Sequence, residues 1–220
     1  MPKLSKEELD ELVNKFSYSN LAERYKVMEE LFDIKEGDVV IDGGAFQGDM
    51  AQYFSLKVGK TGHVYSFEPL AANLPILEQC VKSQPLRNIT IVPVALWDTN
   101  EKVEMFLSTY TNAGSLLKNF RKVTEVSTIV RAATLDYIVD KYKILKVDYL
   151  WANIEGAEVN FLKGAKDTLI KNNCKLCIST HRVDDTYKTT DDCIKILESY
   201  GYKCRQALDK KGWLFAEKNV

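Results

Sequence analysis

The 220-residue sequence is long enough for one domain with a substantial core, and 45% of its residues are hydrophobic and 28% charged, as in ordinary globular proteins. Thirty Lys and Arg residues against 31 Asp and Glu residues give a formal net charge of −1, which excludes the basic excess typical of nucleic-acid-binding proteins. No apolar run approaches the length of a membrane helix, and the charged N-terminus does not resemble a signal peptide, so we expect no membrane partner and a cytoplasmic location.

Two amphipathic helices are predicted before the first strand. Ser5 and Glu8 form a capping-box pattern, and the apolar residues that follow recur with helical spacing as far as Phe32. We therefore interpret residues 1–36 as an N-terminal helical extension and residues 37–220 as the main domain.

Strand and helix patterns alternate from residue 38 onward. Apolar runs rich in β-branched or aromatic residues predict buried strands at DVVIDGG, HVYSFEP, ITIVPVAL, VDYLWANIEG and KLCISTH. Helical patterns lie between them, near residues 49–57, 71–83, 158–172 and 190–200, and the last one ends at Gly201. Such alternation predicts a three-layer α/β/α sandwich around a mostly parallel sheet.

Two further segments modify this plan. YKCRQAL and GWLFAEKN are separated only by DKKG, which predicts a closing hairpin and therefore an antiparallel last strand. Residues 102–135 contain two strand-like runs, VEMFLS and VSTIVRAATL, with polar residues between them. This segment predicts a small β insertion between the third and fourth main strands.

Candidate ligand contacts coincide with the ends of the predicted parallel strands. Asp42, Glu68, Leu96, Asn153 and His181 all fall at or just after a strand end. Ligands of open α/β sheets bind at the carboxyl ends of the strands, near the point where the strand order reverses. The coincidence therefore predicts one ligand site at this edge of the sheet.

The stretch IDGGAFQGD has two ligand interpretations. A dinucleotide fingerprint, G-x-G-x-x-G, would place Ala45 where its middle glycine must let a pyrophosphate approach, which disfavours an NAD site. The pattern D-x-G-x-x-x-G is satisfied by Asp42, Gly44 and Gly48 and suits a ligand with a cationic amino acid end. Glu68, twenty residues after Gly48, can accept hydrogen bonds from a ribose in either case.

Several segments together resemble the FkbM-type S-adenosylmethionine-dependent methyltransferases: IDGGAFQGD, FEPLAANLPIL, VPVALWD, TLDYIVD and VDYLWANIEGAEVNFLKGA. The resemblance runs from about residue 38 to 182, and EGAE followed by LKGA is its most specific part. It implies a class I methyltransferase fold, with a seven-stranded Rossmann-like sheet whose last strand is antiparallel. It also implies S-adenosylmethionine as cofactor and O-methylation of a sugar or another small hydroxylated metabolite.

The resemblance assigns the cofactor contacts as well. It places the glycine loop around the methionine part of the cofactor, Glu68 at the ribose, and the loop of residues 95–98 beside the adenine. The candidate cofactor residues are Asp42, Gly43, Gly44, Ala45, Phe46, Gln47, Gly48, Glu68, Pro69, Ala95, Leu96, Asp98 and Asn153. The family commonly has Asn-Ile at the Phe46-Gln47 positions, a difference that matters little to a loop acting through its backbone.

The candidate catalytic residues are Asn153, Glu155 and His181, near the ends of the fourth and fifth strands. Transfer to a hydroxyl needs a nearby His, Asp or Glu as general base. The family usually has aspartate at position 153 and lysine at Trp151. Asparagine can act neither as a base nor as a good ligand for a hard cation, so we expect metal-independent transfer with Glu155 or His181 as the base. Glu158, at the start of the following helix, is a further candidate, for which helix capping is an equal or better explanation.

Two alternatives stay open at this point. One is an NAD-dependent oxidoreductase, and the other is a protein that retains the cofactor fold without catalysis, which Trp151 and Asn153 make conceivable. We expect a small-molecule substrate, and no pattern indicates an oligomeric state. The five cysteines are expected to be reduced, and CKLCIST places Cys174 and Cys177 on opposite faces of a strand, which suits a zinc site poorly.

Overall fold

The structure is a computed structural model that describes Glu7, Met28 and residues 31–108, 113–121, 123–207 and 212–218. Most of the predicted N-terminal helical extension, residues 1–36, and all of the DKKG turn except its glycine lie outside these residues. The described end of the extension is buried against the sheet, where Met28 and Phe32 join the cluster that contains Val40 and Phe54. The extension as a unit stays a prediction.

Alternating strands and helices make up the described chain. The helices are α1 (Asp49–Val58), α2 (Leu74–Ser83), α3 (Leu135–Lys141), α4 (Glu158–Gly164), α5 (Lys166–Lys171) and α6 (Thr190–Ser199). The strands are β1 (Val39–Gly43), β2 (His63–Phe67), β3 (Ile89–Val92), β4 (Ala95–Leu96), β5 (Lys102–Ser108), β6 (Gly114–Ser115), β7 (Val123–Ala133), β8 (Tyr149–Ala152), β9 (Lys175–Ser179), β10 (Tyr202–Gln206) and β11 (Trp213–Lys218).

The main sheet has seven strands in the order β10-β11-β9-β8-β1-β2-β3. Strand β11 pairs antiparallel with both β9 and β10, whereas β1, β2, β3, β8 and β9 pair in parallel. The predicted antiparallel last strand is therefore confirmed. The chain leaves β1 toward β2 on one side and returns to β8 on the other, so the strand order reverses at β1, where ligands of such sheets bind.

Both faces of the sheet are buried, as a three-layer sandwich requires. Along β8, Leu150 and Ala152 belong to one hydrophobic cluster, while Trp151 between them belongs to the other. Cys174 and Cys177 likewise lie in different clusters, and both thiols are free. Because successive strand side chains point to opposite faces, apolar residues at every position predict a strand covered on both sides.

The predicted insertion forms a separate sheet in the order β4-β7-β5-β6. The prediction of a single strand at ITIVPVAL is wrong, because β3 ends at Val92 and β4 belongs to the second sheet. Pro93 explains the break, since it has no N–H to donate to a strand ladder. The Val94 N–H instead donates to the Val92 carbonyl oxygen at 2.8 Å, which turns the chain toward the insertion.

The predicted helix at residues 158–172 is divided into α4 and α5 at Ala165. Gly164 ends α4 where this helix touches the chain after β4. A Cβ atom at Gly164 would lie 2.0 Å from the Trp97 carbonyl oxygen, so only glycine allows this approach. The glycine of the LKGA segment therefore has a packing reason.

Gly164→Ala is expected to destabilise the fold by about 3 kcal/mol, because backbone must move to admit the methyl group. Gly201→Ala is a matched control, since Gly201 has φ +88° at the end of α6 but nothing within 4 Å of an added Cβ. Only the left-handed backbone conformation is penalised there, at about 1 kcal/mol. Urea unfolding of both variants measures the difference, and an equal or smaller loss for Gly164→Ala would contradict this packing argument.

Candidate active site

The glycine loop between β1 and α1 is held in a conformation that only glycine adopts easily. Gly44 and Gly48 have φ values of +81° and +93°, and the N–H groups of Gly44 and Ala45 donate to the Phe67 carbonyl oxygen at 3.0 and 2.9 Å. A Cβ atom at Gly44 would lie 2.3 Å from the Asn153 carbonyl oxygen. The glycines therefore let the loop close against the ends of β2 and β8.

Asp42 is the fully buried acid at the end of β1. The Ser66 hydroxyl donates to its Oδ2 atom at 3.0 Å, and its Oδ1 atom has no hydrogen-bond partner among the described residues. Burial raises the pKa of the Asp42 carboxyl to about 7, with the Ser66 hydrogen bond opposing the rise and the charges of Asp49 and Glu68 adding to it. A buried acceptor without a partner suits a loop that binds a cationic group.

Asp42 is expected to make stability depend on pH. Its folded-state pKa of about 7 exceeds the ordinary value of 3.8, so between these values the folded chain holds a proton that the unfolded chain releases. The free energy of unfolding of the cofactor-free protein then falls as pH rises from about 4 to about 7. Asp42→Asn removes this dependence, which makes the variant more stable than the wild type at pH 8 by up to about 4 kcal/mol, with little difference at pH 4.

Denaturant unfolding at several pH values measures this effect as the difference between the Asp42→Asn variant and the wild type. Titrating groups that are not coupled to Asp42, such as His63, whose pKa burial lowers, contribute equally to both proteins and cancel in that difference. A difference in unfolding free energy that does not change with pH would contradict the raised pKa of Asp42.

A cavity of about 390 Å³ opens at the carboxyl ends of β1, β2, β4 and β8. Among the candidate cofactor residues, those that line it are Gly44, Phe46, Glu68, Pro69, Ala95, Leu96 and Asn153. Those outside its wall are Asp42, Gly43, Ala45, Gln47, Gly48 and Asp98. Asp98 accepts a hydrogen bond from the Asn160 side chain at 2.6 Å, which directs its carboxylate to α4.

Glu68 connects the glycine loop to the end of β2. Its side chain is almost fully buried, and its two oxygens accept hydrogen bonds from the backbone N–H groups of Phe46, at 3.0 Å, and Leu70, at 2.9 Å. Burial raises the pKa of Glu68, and these bonds together with one from Asn73 oppose the rise. A carboxylate has about four acceptor positions, so three bonds leave capacity for a ligand hydroxyl.

Two of the candidate catalytic residues line the cavity, namely Asn153 and Glu155, which follow β8. His181 follows β9 and is not in the cavity wall, but its Nε2 atom lies 3.8 Å from the Glu155 Oε1 atom. Glu155 has φ +49° and Gly156 has φ +97°, so two consecutive residues are left-handed. The structure thus brings the ends of β8 and β9 together beside the cavity, as expected from their strand positions.

Glu158 has more contacts than the helix-capping interpretation implies. It is fully buried, and its carboxylate accepts hydrogen bonds from the Gly156 N–H at 2.9 Å, from His181 Nδ1 at 2.8 Å and from the Thr189 hydroxyl at 2.9 Å. Two of these donors are distant in sequence. The second glutamate of EGAE and a histidine after the next strand were the available signal, but only the fold brings them together.

Sequence reasoning also missed the part of the wall that the insertion supplies. Met105, Ala113, Gly114 and Leu116 line the cavity, together with Met50 of α1 and Leu70 after β2. No motif marks these residues as part of a cavity wall, because apolar residues in a cavity wall and in a core follow the same sequence pattern.

Metal ligands and membrane helices were also sought in the described part of the chain. Within residues 31–108, 113–121, 123–207 and 212–218, with Glu7 and Met28, no three His, Cys, Asp or Glu side chains are grouped so that they could hold a metal ion. No helix in those same ranges has the length and apolar character needed to cross a membrane.

Comparison with known proteins connects this geometry to a family. The methyltransferase FkbM domain matches residues 42–204, which is most of the chain. A search of curated protein sequences found no match. The family match agrees with the resemblance seen in the sequence, and it favours the methyltransferase interpretation over the NAD-dependent alternative.

Solved structures share the fold at low sequence identity. An FkbM methyltransferase from Methylobacillus flagellatus KT is 16% identical with a TM-score of 0.57, and the match covers 94% of this chain and 57% of that one. This chain therefore spans a little over half the length of that protein. An S-adenosylmethionine-dependent O-methyltransferase from Thermotoga maritima is 14% identical, with a TM-score of 0.55, and the match covers 96% and 71% of the two chains.

A third structure was solved with the cofactor. Fibrillarin from Aeropyrum pernix, in complex with natively bound S-adenosylmethionine, is 17% identical with a TM-score of 0.56, and the match covers 93% of this chain and 76% of that one. Identities this low establish the fold alone, whereas the domain match establishes the family. The chain thus has a class I methyltransferase fold and belongs to the FkbM family of S-adenosylmethionine-dependent methyltransferases.

Proposed function

We propose that this chain transfers a methyl group from S-adenosylmethionine to a hydroxyl group of a small molecule, such as a sugar or another metabolite, without a metal ion. One observation carries the proposal: a single cavity joins Gly44 of the glycine loop to Glu68 after β2 and to Glu155 after β8. A carboxylate suited to a ribose and a carboxylate suited to an acceptor hydroxyl therefore face the same space.

The residues around the cavity fit the cofactor. We assign Asp42 and the glycine loop to its methionine part, Glu68 to its ribose and the apolar Ala95 and Leu96 to its adenine. The unpartnered Asp42 Oδ1 atom and the remaining acceptor capacity of Glu68 support this assignment. S-adenosylmethionine, when bound, supplies a methyl group on a positively charged sulfur and leaves as a neutral thioether.

Glu155 is assigned to the acceptor. Its carboxylate orients the acceptor hydroxyl and takes the hydroxyl proton as the oxygen bonds to the methyl carbon, while the Asn153 amide holds a neighbouring polar group. The charged side chains that line the described cavity wall are Asp49, Glu68 and Glu155, all acidic. Together with the net charge of −1, they favour a neutral acceptor over a phosphate-bearing one such as nucleic acid.

Transfer from methyl-labelled S-adenosylmethionine to a panel of glycans, hydroxylated metabolites and RNA tests the proposal. We expect label on a hydroxylated small molecule, with a rate that EDTA leaves unchanged. Label on RNA alone would overturn the small-molecule assignment, and activity lost with EDTA and restored by magnesium would overturn the metal-free one. Cofactor binding without transfer to any acceptor would favour the non-catalytic binding protein. Trp151 and Asn153 stand at positions where the family usually has lysine and aspartate.

A further inference from the structure

A chain of three polar side chains runs from the cavity wall into the interior. Glu155 lies in the wall, His181 lies behind it with 11% of its side chain exposed, and Glu158 lies behind His181 with none exposed. The contacts are 3.8 Å from Glu155 Oε1 to His181 Nε2 and 2.8 Å from His181 Nδ1 to Glu158 Oε1.

Glu158 keeps a proton on the Nδ1 atom of His181. An ionised carboxylate can only accept hydrogen bonds, so in the 2.8 Å contact with Glu158 Oε1 the Nδ1 atom is the donor. The edge of Phe120 packs against the ring, with centroids 5.8 Å apart. The hydrogen bond and the aromatic contact together orient the ring, which turns Nε2 toward Glu155.

Helix capping alone does not account for Glu158. Its bond to the Gly156 N–H is the local contact that a first-turn acid makes, and it uses one acceptor position. The Thr189 hydroxyl donates to Glu158 Oε2 and also accepts the His181 N–H at 3.0 Å, so the backbone of His181 is held in addition to its ring. A fully buried carboxylate is costly unless donors surround it, and two of its three donors serve to place His181.

The backbone at Glu155 is also constrained. A non-glycine residue with φ +49° is unfavourable by about 1–3 kcal/mol, and such residues persist where the surroundings hold them. This conformation aims the Glu155 side chain into the cavity, where no described hydrogen bond within the wall holds its carboxylate. His181 is the group that faces it from the neighbouring strand.

We propose that His181 and Glu158 are positioning residues, which act through Glu155. Glu158 fixes the His181 ring through the Nδ1–H group, and the protonated ring, with its second N–H group at Nε2, then holds the Glu155 carboxylate at the cavity wall as an ion pair, in line with the acceptor hydroxyl. The inference rests on the proposed function, because it assigns Glu155 as the group that touches the acceptor. Under this proposal, Glu155 and not His181 is the base.

Two substitutions of His181 separate a role in positioning Glu155 from a role in supporting the fold. In His181→Asn, the side-chain amide takes the place of Nδ1, so it keeps the bond to Glu158 but cannot reach Glu155. In His181→Gln, the longer side chain places its amide at the position of Nε2, so the bond to Glu158 is lost. We expect His181→Asn to melt close to the wild type yet to lower kcat about 100-fold, with the KM for S-adenosylmethionine little changed. Wild-type kcat in His181→Asn would overturn the proposal. Because this variant keeps the bond to Glu158, it can replace a histidine whose role is only structural.

Two measurements need no methyl acceptor. The chain has two histidines, and His63 lies at the amino end of β2, so His63→Gln leaves His181 as the only imidazole in a long-range ¹H–¹⁵N spectrum. We expect both ring nitrogens to carry protons, Nδ1 toward Glu158 and Nε2 toward Glu155, and a ring without a proton on Nε2 would overturn the proposal. In crystal structures with S-adenosylhomocysteine, the Glu155 carboxylate should leave its wild-type position in His181→Asn, and an unmoved carboxylate would also overturn it. A failed acceptor screen, by contrast, would count against the proposed function alone.

Discussion

Replacing Glu155 with Gln is expected to lower the rate of methyl transfer by about two to four orders of magnitude. The amide keeps the size of the side chain but cannot take the acceptor proton. Affinity for S-adenosylhomocysteine should be little changed, because Glu155 lies on the β8 side of the cavity and Glu68 on the β2 side. Steady-state kinetics with labelled cofactor, combined with calorimetry, separates the two quantities.

Glu78→Gln is the matched control for this substitution. Glu78 lies on the exposed face of α2, where its carboxylate pairs only with Lys82 among the described residues, at 3.5 Å. The Glu78→Gln variant should therefore transfer methyl groups at the wild-type rate. Full activity in both Glu155→Gln and His181→Ala would contradict acid–base catalysis and leave alignment of the two reactants as the protein's contribution.

Replacing Glu68 with Gln is expected to have the opposite effect, with cofactor affinity falling about 10- to 100-fold and kcat at saturating cofactor changing little. Each hydrogen bond to a charged group contributes about 1.5–3 kcal/mol. The glutamine amide weakens the bond to a ribose, and it also turns an N–H group toward a backbone donor. The affected donors are the N–H groups of Phe46 and Leu70, so the glycine loop loses an anchor as well.

Calorimetric titration with S-adenosylhomocysteine measures this change in affinity, again with Glu78→Gln as the control. Far-ultraviolet circular dichroism and a melting curve establish that the variant is folded. Unchanged affinity in a folded Glu68→Gln protein would remove the ribose assignment.

The strands of the main sheet were predictable because their residues face two cores. VVIDG and YLWA are apolar at nearly every position, and each alternates between the two hydrophobic clusters in the structure. The break at Pro93 was readable in principle, since proline cannot continue a central ladder, but the apolar residues on both sides of it outweighed that signal. The close contact of Gly164 with Trp97 was not readable, because it joins parts of the chain that meet only in the fold.

The residues of the candidate site likewise divide into those whose contacts the sequence could predict and those whose contacts it could not. Gly44, Gly48 and Glu68 belong to short local patterns whose spacing reflects one strand, one turn and the next strand, so the sequence could predict that they meet. The contacts of Glu158 could not be predicted, because its partners follow β9 and its sequence position alone also fits a helix cap. The cavity wall supplied by Met105 depends on where the insertion folds back, which no local pattern records.

The central claim is that this cavity binds S-adenosylmethionine and not a dinucleotide. Titration of the wild-type chain with S-adenosylhomocysteine and with NAD tests it most directly. Binding is followed by calorimetry and by tryptophan fluorescence, to which Trp151 in the cavity wall contributes. We expect S-adenosylhomocysteine to bind at one site and change the tryptophan emission, and NAD to produce neither heat nor a spectral change. Binding of NAD without binding of S-adenosylhomocysteine would contradict the account.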